Sequence, residues 1–77
     1  MTTPLIWQSL PQPFDGMWLW GSSDKRWQYI LSFDQKFNSW AASAKPLGRP
    51  DAPRIDLGNK FFTRAEAEIA CERWSEQ

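Results

Sequence analysis

The sequence predicts an α+β fold: a three- or four-stranded antiparallel sheet packed on one C-terminal helix, with an extended arm at the N-terminus. Three observations predict it. Aromatic and β-branched residues crowd into 17–21 and 26–33 on either side of a polar Ser-Ser-Asp-Lys stretch, the composition of a hairpin. Residues 39–45, "SWAASAK", alternate in the manner of a strand with one buried face. Thr63 followed by Glu66 is a helix-start signature, and small residues recur behind it at helical spacing.

The elements follow in chain order. Residues 1–16 contain Pro4, Pro11 and Pro13, which exclude a regular helix and leave an arm able to add an edge strand at most. The sheet is expected over 17–58, with its first turn at Ser22 to Lys25 and its second in "DQKFN". "PLGRPDAP", residues 46–53, holds three prolines and a glycine and must be a loop, long for a small domain. "RIDLG" then reads as a short edge strand stopped by Gly58. The helix is expected over 63–75, with Phe62 stapled onto Ala67 and with Ala67, Ala70, Cys71 and Trp74 turned inward. No repeat or second domain is visible, so 1–77 reads as a single domain.

Turn lengths assign the rings to faces. A first turn over Ser22 to Lys25 places Trp20 opposite Trp27 and Trp18 opposite Tyr29. A second turn of similar length places Leu31 opposite Trp40 and Tyr29 opposite Ala42. Trp18, Trp20, Trp27, Tyr29, Leu31, Phe33, Trp40, Ile55 and Leu57 then face the helix, where Ala42 and Ala44 make room for it. The other face carries Met17, Leu19, Gln28, Ile30, Ser32, Ser39, Ala41 and Ser43, partly covered by the arm's Leu5 to Trp7. A chain of 77 residues with six tryptophans and five phenylalanines needs such rings as core, because a domain this small buries only about 60% of the surface its unfolded form exposes.

Composition narrows the function. Nine basic and nine acidic residues cancel, which weighs against a mainly electrostatic partner such as nucleic acid or an anionic membrane. Without histidine the commonest general base is missing, and the lone Cys71 lies on the inner helix face with no activating partner. The aspartates sit at turns and match no metal loop. The expectation is therefore no enzyme, no cofactor and no metal. One free thiol suits a reducing, cytoplasmic compartment, and the first residues resemble neither a signal peptide nor a membrane span.

Residues 39–75 carry a resemblance. Trp40-Ala41-Ala42 in a strand, Leu57-Gly58 after a loop, and Thr63, Glu66, Ala67 and Ala70 opening a helix resemble the plant ethylene-response-factor DNA-binding domain and its phage-integrase arm-type relatives. That resemblance implies a sheet lying on a C-terminal helix and entering the DNA major groove. The basic positions of the plant family's first two strands fall here on Ile30, Phe33 and Gln35, and its preceding tryptophan on Phe37, so the elements shared are structural. In size and composition the chain also resembles small phage and mobile-element accessory proteins, of which anti-CRISPR inhibitors are one group.

The expected function is stoichiometric docking on a larger protein or protein complex, by a monomer or homodimer. The alternative is a sheet-face DNA-binding module, since Lys25, Arg26, Lys36, Lys45, Arg49, Arg54 and Lys60 all precede the acidic helix. The candidate contacts are the apolar residues Trp7, Phe14, Phe37 and Ile69, the sheet residues Gln28 and Ile30, and the basic residues Arg49 and Arg54.

Overall fold

A computed structural model describes residues 5–76, and the part of the expected arm before Leu5 lies outside them. Five strands and one helix follow in order: β1 (Gln8–Leu10), β2 (Met17–Ser23), β3 (Trp27–Asp34), β4 (Ser39–Pro46), β5 (Ile55–Phe61) and α1 (Arg64–Ser75). The strands form one antiparallel meander in sequence order, β1-β2-β3-β4-β5. The sheet thus has five strands rather than three or four. The added one is β1, an edge strand within the arm, where Ser9 pairs with Trp20 between the prolines that limit its length.

Both central hairpins differ in register from what the turn composition suggests: the first is tighter, and the second keeps a four-residue connection set further along the chain. Trp18 pairs with Phe33 rather than Tyr29, and Trp20 with Leu31 rather than Trp27. Gly21, Ser22 and Ser23 continue the strand, and Lys25 and Arg26 alone make the turn. Asp24 explains why. Its backbone N–H donates to the Trp27 carbonyl at 2.9 Å, while its Oδ1 accepts from the N–H groups of Arg26 and Trp27, both at 2.7 Å. An aspartate that closes its own turn in this way removes the need for a longer loop. At the second hairpin Phe33 pairs with Trp40 and Leu31 with Ala42, Asn38 supplying the left-handed residue at φ 50°. Both displacements are even, so every side chain keeps its expected face.

The helix lies over β3, β4 and β5, and reaches β2 through the Arg64 side chain. Tyr29, Leu31, Ala42 and Ala44 of the sheet meet Ala67 and Cys71 of α1, and these are the fully buried residues. Alanines on both sides let the helix axis approach the sheet closely. Trp20, Trp27, Trp40, Leu57, Phe61 and Trp74 surround that contact, half-buried, and Trp27 meets Trp74 edge-on at 5.3 Å. Trp18 lies beyond the helix, 37% exposed, and ends a chain of rings running through Phe33 and Trp40 to Trp20. Arg64 caps that chain, its guanidinium 4.9 Å from the Trp20 ring.

Helix entry follows the sequence in part. Thr63 accepts from the Glu66 N–H at 3.2 Å, and the Glu66 carboxylate reaches back to the N–H of Phe62 at 2.9 Å, closing the capping box one residue early. The expected staple does not form, because Phe62 is 86% exposed. At the other end Asp24 Oδ2 accepts from Tyr29 Oη and Ser75 Oγ, both at 2.6 Å, tying the first hairpin to the last turn of the helix.

Nor does β5 stop at Gly58. It runs on to Phe61 through two register shifts against β4. Gly58 has φ +142°, and a Cβ there would lie 2.5 Å from Phe61 Cζ. The glycine is required by the bulge and by the ring folded over it, not by a strand end.

Candidate functional site

The face of the sheet opposite α1 has no covering element among the described residues. Strand alternation places Met17 and Leu19 of β2, Gln28, Ile30 and Ser32 of β3, Ser39, Ala41, Ser43 and Lys45 of β4, and Asp56 of β5 on it. The side chains are mostly small, so the surface is shallow. One groove lies between Ile30, Ser32, Ala41, Ser43, Arg54 and Asp56. A second continues toward the β3–β4 turn between Met17, Asp34, Phe37, Ser39, Asn59 and Lys60. Phe37 is shared with a third, where it stands with Phe14, Gly16 and Gln35.

Five of the eight sequence-derived contacts border this face, in two groups at its opposite ends. Gln28, Ile30 and Arg54 lie together at one end of the open face, joined by the Arg54 guanidinium, which donates to Gln28 Oε1 at 3.3 Å and Ser43 Oγ at 3.1 Å. Phe37, 70% exposed, and Phe14, 57% exposed, stand at the other end. The remaining three do not join them. Ile69 is 47% exposed but projects from α1, on the opposite side of the molecule. Arg49 lies on the proline-rich loop, its carbonyl accepting from the Ala52 N–H at 3.1 Å.

Trp7 is a correction. It is half-buried and packs with Leu5 against the core. Pairing of Ser9 with Trp20 puts alternate arm residues on the helix side, so Leu5 and Trp7 extend the core, and Ile6, Gln8 and Leu10 turn toward the open face. Leu10 settles over Gly21, where a Cβ would meet its Cδ1 at 3.1 Å. Sequence reasoning assigned none of the other exposed large apolar residues, Ile6, Leu47, Phe62 and Trp18, to a contact. For Trp18 the signal was its position at the strand end farthest from the helix C-terminus.

The titratable groups of the interior are held in single states. Burial pushes the Cys71 thiol up to about 12, and Glu68 and Glu72 on the same helix add to the shift, so the thiol stays protonated. At Asp24, burial opposes ionisation. The hydrogen bonds from Ser75, Tyr29 and the Arg26 and Trp27 N–H groups outweigh it and hold the carboxyl at about 2. Tyr29 is raised, first by burial and then by its bond to that carboxylate. Asp24 thus spends its acceptor positions within the fold.

Known proteins offer no frame for this geometry. No protein-family model, curated protein or solved structure matches the chain. No helix among the described residues is long and apolar enough to cross a membrane.

Proposed function

We propose that this protein is a non-enzymatic binding protein that docks, one copy to one site, on a larger protein through the open face of its sheet. The observation that carries the reading is a sheet with one face packed by α1 and the other left uncovered among the described residues, with Gln28, Ile30 and Arg54 grouped at one end and Phe14 and Phe37 at the other. The exposed phenylalanine and arginine side chains at its two ends are of the kinds enriched in protein interfaces, and the small residues between them leave the face flat enough to lie against a partner. The mechanism is steric. A slab about as thick as one sheet and one helix, with principal extents of 33 × 28 × 19 Å, covers a patch on its partner and excludes whatever that patch normally meets. An anti-defence inhibitor of the anti-CRISPR kind is one protein that would act this way.

The test is affinity capture from the cells that encode the protein, using tagged wild type beside Ser32→Arg, Ala41→Arg and Ile69→Asp. Loss of one partner with both arginine substitutions, and its retention with Ile69→Asp, supports the reading. The opposite pattern moves the contact to the helix. The alternative, a DNA-binding sheet face like that of integrase arm-type domains, is favoured by Lys45 and Arg54 on the same surface. It predicts a salt-sensitive shift of duplex DNA that the arginine substitutions strengthen rather than abolish.

A further inference from the structure

We infer that Arg54, assisted by Lys45, is an anchor for a carboxylate, and that the partner of the open face presents an acidic segment to this corner of the sheet. The inference rests on the docking reading above and names the chemistry of its partner. Arg54 belongs to the segment leading into β5, yet its guanidinium lies across two further strands, bonded to Ser43 of β4 and Gln28 of β3. Both acceptors are neutral. Arg54 has no ion pair among the described residues. Asp56, the carboxylate that lines the same groove, is instead bonded through Oδ1 to the Gly58 N–H at 2.9 Å. Lys45 stands opposite Gln28 in the β3–β4 ladder, and its Nζ donates to the Pro50 carbonyl at 2.8 Å, again a neutral acceptor.

Two cations are thus fixed by uncharged partners and have no counter-ion among the described residues. An exposed arginine ordinarily gives up rotamer freedom when it binds, and a guanidinium already laid flat has less to lose. Two of its donors are engaged, and the others can meet a carboxylate in the planar, paired geometry that arginine favours. Ile30 and Ala41 in the same groove supply apolar surface beside the charge. A phosphate backbone fits less well. Asp34 and Asp56 share this face with the cations, the chain carries no net charge, and tracking a nucleic-acid strand needs a continuous basic stripe.

The probe is an end-blocked hexaglutamate peptide, titrated into the full chain and followed by NMR at the Arg54 Nε–H and the Gln28 side-chain amide. A single-stranded DNA oligonucleotide of matched charge runs in parallel. Saturable shifts confined to Gln28, Ser43, Lys45 and Arg54 are expected. Affinity should fall about tenfold or more in Arg54→Gln, the worth of one charge-assisted hydrogen bond, and less in Arg54→Lys. Circular dichroism of both variants confirms that the sheet is intact. Equal shifts at Lys25, Lys36 and Lys60, or tighter binding of the oligonucleotide at the same residues, would overturn the inference. Partner capture that survives Arg54→Gln but not Ala41→Arg removes the anchor and leaves the docking face standing. Capture indifferent to both removes the docking face itself.

Discussion

Replacing Asp24 by alanine removes the junction between the first hairpin and the end of the helix. The carboxylate accepts four hydrogen bonds, from the Arg26 and Trp27 N–H groups and from Tyr29 Oη and Ser75 Oγ. The two N–H groups lie at a turn and can bond water once the carboxylate is gone. Tyr29 cannot adjust as easily, since its side chain is fully buried, and an orphaned buried hydroxyl costs roughly 1–3 kcal/mol. Adding about 1 kcal/mol for the turn and the Ser75 tie gives a loss of about 3 kcal/mol, a large share of the roughly 4–11 kcal/mol expected for a domain of this size.

Urea unfolding followed by tryptophan fluorescence should show this loss as a midpoint lowered by roughly 2–3 M at unchanged slope. Tyr29→Phe should cost about 1–2 kcal/mol alone and nearly nothing in the Asp24→Ala background. The same carboxylate sets a pH dependence. Its folded-state value of about 2 lies below its ordinary 3.8, so its contribution is complete above about pH 4 and disappears as pH falls through 2. The carboxyl is partly open to solvent, so this contribution is discounted to about 1 kcal/mol. Asp24→Asn should flatten that slope. A loss below 0.5 kcal/mol in Asp24→Ala, or additive costs in the double variant, would refute the junction as a structural tie.

Three further outcomes are expected. Gly58→Ala should lower stability by about 2 kcal/mol or more in thermal melts, because φ +142° is strained for any side chain and the Phe61 ring occupies the Cβ position. Acrylamide should quench Trp18, the most exposed tryptophan, more than the half-buried others, so Trp18→Phe should lower the quenching constant. Cys71 should be inert to a thiol-specific chromogenic reagent in the native protein at pH 8 and react at the rate of global unfolding when urea is added, since it is buried and its thiol is held protonated.

What the sequence made legible was parity. Alternation put Tyr29, Leu31, Ala42 and Ala44 on one face and Gln28, Ile30 and Ser43 on the other, and errors of an even number of residues left that assignment whole. Turn length was hidden because Ser22 and Ser23 look like loop residues although pairing with β3 holds them in the strand. Gly58 misled in the same way: its need for a positive φ arises from Phe61, three residues on, which no local pattern reports. Trp7 was misplaced because its side depends on how β1 pairs with β2, a tertiary fact. Convergence of Phe14 with Phe37 likewise depends on two loops meeting, whereas Gln28, Ile30 and Arg54 could be grouped from strand counting alone.

The bulged β5 and the three-residue β1 close off the two margins of the sheet. Kinked and abbreviated rims offer no template on which an extended chain could polymerise. Growth into fibres by strand addition is thereby opposed, and the broad surface that remains is the uncovered face of the sheet. A chain with such rims can reach high concentration without lengthening edge to edge into filaments.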